Sequence, residues 1–432
     1  MPPFSSMPFR DRALPAPLQR RAPHMTSGDQ SRRLWIVSEL YYPEMTSTGY
    51  YITHIAEFLT DHVDVRVICG KPNYSARGVR VDRNETRHGV EISRVPAFRL
   101  NKNILFFRLL NALSLSIGVF IKELISIRAG DSVVVVTTPP VLPFITALAA
   151  LMKGASYMVL VHDVYPEQLI ATGILKRGSV VAWCFDLMNR CVYKHAASII
   201  AVGRDMKELL ETKLSGLDIP VPFIPNWAET DTITPQDRKE NPLLREIGFE
   251  DKFVVLSAGN FGRPNDLETI VRAAERLSAD TRVQFLFIGN GAKLKWLKAR
   301  TSTLSNILIL PPMPRERQNV FLNACDATVV SLVRGMLGAA VPSRTYNYMA
   351  AGKPLLAICE RHSEIAGIIQ ENEIGKWVEP GDSEGLAAAI HDLLSRGTDL
   401  RRMSERARAA AVDKYSPGMV LPQFRDALIG RK

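Results

Sequence analysis

The chain is short of several features that would fix its chemistry at once. Its five cysteines, Cys69, Cys184, Cys191, Cys325 and Cys359, lie far apart with no C-x-x-C pair. That excludes a zinc site and a disulfide framework and fits a reducing cytoplasm. No D-x-D occurs to chelate a metal between diphosphate oxygens, so no metal and no cofactor are expected, and the cationic duty falls on Arg, Lys and helix starts. A P-loop, G-x-x-x-x-G-K-[ST], is absent; so is the G-x-G-x-x-G fingerprint, which disfavours an NAD enzyme. Basic residues are dispersed among acids and no aromatic-basic motif of an RNA-binding sheet appears, so nucleic acid is not an expected partner. Residues 1–32 hold no apolar run long enough for a signal peptide. Rich in Pro, Arg and Ser, they read as a disordered basic leader, with Met25 an alternative start to Met1 and a transit peptide the other reading.

What is present is a folded composition: 432 residues, 46% hydrophobic and 23% charged, with a formal net charge of +10. The length exceeds what one core accommodates and predicts two domains, while the charge favours anionic partners. Short Val- and Ile-rich runs alternate with helical segments, which predicts doubly wound parallel sheets. The first series is Leu34 to Ser38, Val65 to Cys69, Val90 to Arg94, Ser132 to Thr137, Tyr157 to His162 and Ser198 to Val202. The second is Phe253 to Ala258, Val283 to Ile288, Ile307 to Leu310, Ala327 to Ser331, Pro354 to Ile358 and Lys376 to Val378. Proline and polar residues from Ile219 onward mark a linker between them.

The longest apolar stretch, Asn103 to Ile125, reads as an amphipathic helix. Arg108, Asn111, Ser114, Gly118, Lys122 and Ser126 fall on one side; Phe106, Leu110, Leu113, Ile117, Phe120 and Leu124 fall on the other. It either covers a sheet face or lies in a headgroup layer with Lys102, Arg108, Lys122 and Arg128 toward anionic lipid.

Ligands of open parallel sheets bind beyond the carboxyl ends of the strands, so residues there are the site candidates. After the first strand, Thr46, Ser47, Thr48 and Gly49 stand before a helix expected from Tyr50, either as an anion cradle or as an N-cap by Ser47 or Thr48. After the fifth, His162, Asp163 and Glu167 suit hydrogen bonding to a polyhydroxylated ligand or proton exchange, and are the catalytic candidates. In the second half, Asn260, Gly262, Arg263, Gly291 and Lys293 combine sharp turns with positive charge suited to a diphosphate. The stretch "GMLGAAVPSRTYNYMAAGKP" then puts the small residues Gly338 and Ala339 ahead of a helix start carrying Ser343, Arg344 and Asn347, a further phosphate cradle.

In order, "YYPEMTSTGYY", "TTPP", "VHDVYPE", "IPNW", "AGNFG", "FIGNGA" and "VPSRTYNYMAAGKP" resemble a bacterial glycosyltransferase of family 4, the group 1 glycosyl transferases, from about Arg33 to the C-terminus. Within it the chain is similar to the sub-group that includes N-acetylfucosamine transferases of O-antigen and capsule assembly. The resemblance implies the α/β fold called GT-B, two facing Rossmann-like doubly wound domains. These would be an acceptor-side domain at 33–218, a linker at 219–250, a nucleotide-sugar domain at 251–415 and a crossing helix at 416–432. It implies that Gly49 approaches the donor diphosphate, that His162 bonds the donor sugar near the reacting carbon, and that Arg263, Lys293, Ser343 and Arg344 hold phosphate. The family usually carries two glutamates eight positions apart; here Ala339 and Asn347 stand there. The amide of Asn347 would take the ribose, and main-chain N–H groups from Gly338 to Ala340 the sugar.

The implied activity is retaining, metal-independent transfer of a sugar, an N-acetylated hexosamine, from a UDP-sugar to a lipid-linked saccharide in surface polysaccharide biosynthesis. The implied place is the cytoplasm, peripherally on the inner membrane surface. A UDP-N-acetylhexosamine 2-epimerase of the same architecture and a non-catalytic nucleotide-sugar-binding protein are the alternatives.

Overall fold

Two parallel sheets organise the chain. The computed structural model describes residues 33–430, apart from 75, 77, 99 and 101–104. The leader at 1–32 and Lys102 lie outside the described residues, as does the side chain of Arg108.

The first sheet contains β1 (Arg33–Ser38), β2 (Asp64–Cys69), β3 (Asn84–Arg87), β4 (Val90–Arg94), β5 (Ser132–Val136), β6 (Ser156–Val161) and β7 (Ser198–Ala201), in the order β3-β4-β2-β1-β5-β6-β7. All its pairings are parallel except β3 with β4. The second contains β8 (Phe253–Asn260), β9 (Val283–Asn290), β10 (Ile307–Leu310), β11 (Ala327–Ser331), β12 (Leu355–Ile358) and β13 (Gly375–Val378), parallel throughout in the order β10-β9-β8-β11-β12-β13. Runs such as SVVVV in β5 and ATVVS in β11 are buried because helices cover both sheet faces. Strand order reverses beside β1 and beside β8, the places where loops part to leave a crevice.

The strand β3 is absent from the sequence expectations. Its four residues, NETR, are polar, sit at the sheet edge and alternate between exposed and half-buried. It is created by its turn: His88 and Gly89, at φ 47° and 81°, form a two-residue hairpin loop with the left-handed backbone that matches strand twist.

The first sheet carries α1 (Ser47–Leu59), α2 (Leu105–Ser126), α3 (Leu142–Lys153), α4 (Glu167–Ala171), α5 (Val180–Lys194) and α6 (Arg204–Lys213). Then follow α7 (Pro242–Ile247), α8 (Leu267–Arg276), α9 (Leu294–Arg300), α10 (Gln318–Leu322), α11 (Arg344–Ala350), α12 (Glu364–Asn372), α13 (Ser383–Ser395), α14 (Gly397–Asp413) and α15 (Pro417–Ile429). The last helix returns to the first sheet's layer. Phe424 lies edge-on to Trp227 at 6.3 Å, and Trp227 packs at 4.5 Å on Tyr51 of α1, whose hydroxyl donates to the Trp227 carbonyl at 3.0 Å.

Two local expectations are corrected. Helix α1 begins at Ser47, not Tyr50, and its cap is Thr46, whose Oγ1 accepts from the Gly49 N–H at 3.4 Å. In α2 the buried side is not the apolar side expected: Asn111, Ser116 and Glu123 are buried there together with Leu115 and Val119. Asn111 is buried and brackets Leu100, accepting its N–H at 2.9 Å and donating to its carbonyl at 3.0 Å. Ser114 accepts the Phe98 N–H at 2.9 Å, and a Cβ on Gly118 would sit 2.9 Å from the Pro96 carbonyl, so small and polar residues let the preceding chain lie close. Phe106, Leu113 and Ile117, expected on the apolar side, are exposed, and Lys122 is half-buried.

Candidate functional site

The loop after β1 is held from beneath by a carboxylate. Glu44 is buried and accepts the N–H groups of Asn73 at 2.5 Å and Tyr74 at 2.6 Å, tying the loops after β1 and β2 together. A Cβ at position 49 would lie 2.5 Å from the Glu44 carbonyl, so Gly49 answers to that close approach. Thr48 is half-buried beside it, and Ser47 at the helix start places its hydroxyl 2.5 Å from that of Ser343 in the second sheet's layer.

The loop after β6 makes a second crossing. Thr137, just past β5, accepts the N–H groups of both His162 and Asp163 at 3.2 Å. The Val164 N–H donates to the Ala339 carbonyl at 2.8 Å, and Asp163 pairs with Ala340 in an isolated antiparallel bridge. His162 Nε2 is buried without a hydrogen-bond partner among the described residues, and burial lowers the imidazole to about 4, leaving it neutral at physiological pH. Burial raises Asp163 to about 6, and its Oδ1 accepts from Gln168 at 2.6 Å. Glu167 does not join them: its carboxylate pairs with Lys213 of α6, which also bonds Asp186 at 2.8 Å.

From the second sheet, Arg344 at the start of α11 lies over Gly259, where a Cβ would meet the guanidinium carbon at 3.3 Å. Its Nη2 donates to the Asn260 carbonyl at 3.2 Å. Gly262 is buried in the turn that follows, and Arg263 is exposed with no ion pair among the described residues. Gly291 packs on Phe261, whose backbone a Cβ would approach to 2.5 Å. Lys293 departs from its expected role as an open phosphate cation, since its Nζ donates to Glu268 and to the Asn265 carbonyl, both at 2.8 Å.

The small-residue loop docks on α6. At φ 70°, Gly338 comes so near that a Cβ would be 2.7 Å from the Asp205 carbonyl, and its N–H donates to Asp205 Oδ2 at 3.1 Å. The Ala339 N–H donates to the Met336 carbonyl at 2.9 Å. Two of the three amides expected to meet the sugar, those of Gly338 and Ala339, are thus engaged. Nearby, Arg204 of α6 bonds Glu364 of α12 at 2.9 Å and also pairs with Glu371. Asn347 is occupied as well, exchanging hydrogen bonds with Glu229, to which Arg315 adds an ion pair while stacking 3.7 Å over the Tyr50 ring.

The residues missed from sequence are Arg204, Asp205, Glu229, Arg315, Thr137 and Glu364. Arg204 and Asp205 follow β7 directly, so the strand-end rule that found His162 would have found them. Among the described residues no three His, Cys, Asp or Glu side chains stand together to hold a metal.

Comparisons with known proteins follow the same two halves. Residues 47–227 match the family model described as a glycosyl transferase 4-like domain, and residues 241–410 that described as glycosyl transferases group 1. A Pseudomonas aeruginosa protein named as a probable glycosyltransferase, WbjE, is 31% identical over 404 residues, covering 91% of this chain and 96% of that one. The chain belongs to the group 1 glycosyltransferases. This glycosyltransferase is also 25% identical to WcaI of Escherichia coli (strain K12), named for colanic acid biosynthesis, over 90% of this chain and 98% of that one. Its fold is that of GT-B enzymes. Sucrose-phosphate synthase from Thermosynechococcus elongatus superposes with a TM-score of 0.70 at 13% identity, covering 92% and 98% of the two chains. Anabaena HepE in complex with UDP-glucose superposes at 0.68 and 14%, covering 92% and 100%.

Proposed function

We propose that this glycosyltransferase moves a sugar, an N-acetylated hexosamine, from a UDP-sugar to a lipid-linked saccharide at the cytoplasmic face of a membrane, retaining the anomeric configuration and using no metal. The observation that carries the reading is the meeting of strand-end loops from both sheets at Ser47 with Ser343 and at Val164 with Ala339. There a donor bridging the layers would have Arg263 and Arg344 on its diphosphate and the unpartnered His162 Nε2 against its sugar. The UDP and UDP-glucose complexes of HepE support the nucleotide, and the names of WbjE and WcaI support polysaccharide assembly. Assignment to the N-acetylfucosamine transferase sub-group, and the division into domains at 33–218 and 251–415 joined by a linker, belong to the same reading.

In this mechanism the bond between the anomeric carbon and the phosphate oxygen breaks as the acceptor oxygen bonds the same carbon on the same face. The acceptor proton passes to the departing phosphate oxygen, and the guanidinium groups stabilise the charge that develops on the diphosphate. Because His162 is neutral, it can serve the sugar as donor or acceptor without adding charge. Closure of the two layers would exclude the water that otherwise competes with the acceptor.

Calorimetric titration with UDP, GDP and their sugar conjugates in EDTA tests this. Metal-independent binding of the uridine ligands, weakened in Arg344→Ala, is expected; an absence of binding to every nucleotide diphosphate overturns it. Acceptor-dependent release of UDP separates a transferase from the epimerase and from a binding protein.

A further inference from the structure

The outer helices of the first sheet leave an apolar surface uncovered. On α2 the exposed row is Phe106, Leu109, Leu113, Ile117, Ile121 and Ile125, the last 76% exposed. That spacing, three and then repeated fours, runs one unbroken stripe along the whole helix. The inner side of α2 is packed by Leu115 and Val119, so the helix lies along the domain and does not leave it. On α3, Leu148, Leu151 and Met152 are exposed; on α5, Val180, Trp183 and Leu187 are exposed, Val180 to 75% and Trp183 to 62%. The helix α3 packs against both α2 and α5, so the three stripes adjoin in one layer. Helices outside a doubly wound sheet ordinarily turn charge to solvent, and an apolar area of this extent marks an interaction surface.

The charges beside it identify the occupant. Arg128, Lys176, Arg177, Arg190 and Lys194 are exposed and form no ion pair among the described residues. The described acids of these three helices are Glu123, which is buried, and Asp186, which is bonded to Lys213. An apolar stripe with unpaired cations and no unpaired acid complements a bilayer with anionic headgroups, and an exposed Trp suits its interfacial depth.

We propose that the α2–α3–α5 face lies flat on an anionic lipid surface, with α5 inserted beside α2. The proposal rests on the reading above, in which the acceptor is carried by a lipid, and it gives the sheet a fixed orientation toward that lipid.

The test is flotation of the full chain with vesicles of phosphatidylcholine alone and of phosphatidylcholine mixed with phosphatidylglycerol. The expected result is binding that strengthens with phosphatidylglycerol and falls roughly tenfold or more when Trp183→Ser and Leu187→Ser are combined, with α2 untouched. A native thiol gives a second readout that needs no change to the apolar face. Cys184 is exposed on α5, while Cys69, Cys325 and Cys359 are buried, so in Cys191→Ser the mixed vesicles should protect Cys184 from a maleimide. Unchanged flotation in the α5 variant, or undiminished labelling of Cys184, overturns the proposal. So does a dimer in sedimentation equilibrium that the α5 substitutions abolish without any vesicle binding. UDP titration in the absence of lipid remains a separate measurement, so failure of the docking face and failure of the transferase reading give different results.

Discussion

Asn347 and Glu229 hold each other at two points: the Glu229 N–H donates to Asn347 Oδ1 at 3.0 Å, and Asn347 Nδ2 donates to Glu229 Oε1 at 2.7 Å. The first lies on α11 and the second in the segment joining the two sheets, and both are buried. A carboxylate therefore stands next to α11 although the helix carries an amide. Truncating either residue orphans the other, so Glu229→Ala and Asn347→Ala are each expected to cost about 1–3 kcal/mol in urea unfolding. In a double-mutant cycle the pair should show a coupling of about 1 kcal/mol or more. Strictly additive losses would mean the bonds contribute nothing to each other.

Glu123 supplies a pH signature. It is fully buried on the inner side of α2, and burial pushes its carboxyl up from 4.5 to about 8. An acid whose folded pKa is raised binds its proton more tightly in the folded chain, so the stability it contributes is present at low pH and is lost as pH rises between those values. The wild-type melting temperature should therefore fall relative to Glu123→Gln as pH goes from 5 to 8. A constant difference between the two proteins across that range would rule out the buried acid as its source.

At Gly338 the backbone is left-handed and pressed against α6. Replacement by alanine strains φ and drives a methyl into the Asp205 carbonyl, which should lower stability by about 1 kcal/mol or more. Gly130, also at positive φ but with open space around it, is the control that separates strain from collision. Equal losses in Gly338→Ala and Gly130→Ala would show that the contact with α6 is slack.

Arg204 spans the layers through a nearly fully buried Glu364. The variant Arg204→Met keeps the length of the stem and removes the ion pair, leaving the buried carboxylate without a counter-charge and with the residue 204 backbone N–H, 2.8 Å from Oε2, still donating to it. Small-angle scattering of the ligand-free variant is expected to show a larger radius of gyration than wild type, with UDP returning it toward the wild-type value. An unchanged radius would mean that the Ser47 and Val164 crossings suffice to keep the layers together.

Most of the architecture is legible in the sequence because parallel strands buried on both sides announce themselves as apolar runs. Every strand expected is present, and the missing β3 is the one whose stability comes from a turn and an edge pairing. Local geometry at strand ends was legible too, as with His162 and Arg344. What sequence could not show is which polar groups neutralise each other across long separations. Lys293 looks like an open cation until Glu268 is seen beside it, and Gly338 looks like an open amide until Asp205 reaches it from 133 residues away. The polar side of α2 carries no sign in the sequence that Asn111, Ser114 and Gly118 make room for Pro96, Phe98 and Leu100.

The return of α15 to the first layer has a consequence for synthesis. Trp227 and the adjoining surface of α1 gain Phe424 only when the final helix has left the ribosome, so the half of the protein made first is the half completed last. Until then an aromatic patch stays open on a nascent chain whose parallel sheets already demand distant pairings. The N-terminal half expressed by itself should be a substrate for holdase chaperones, and a supplied α15 peptide should relieve it.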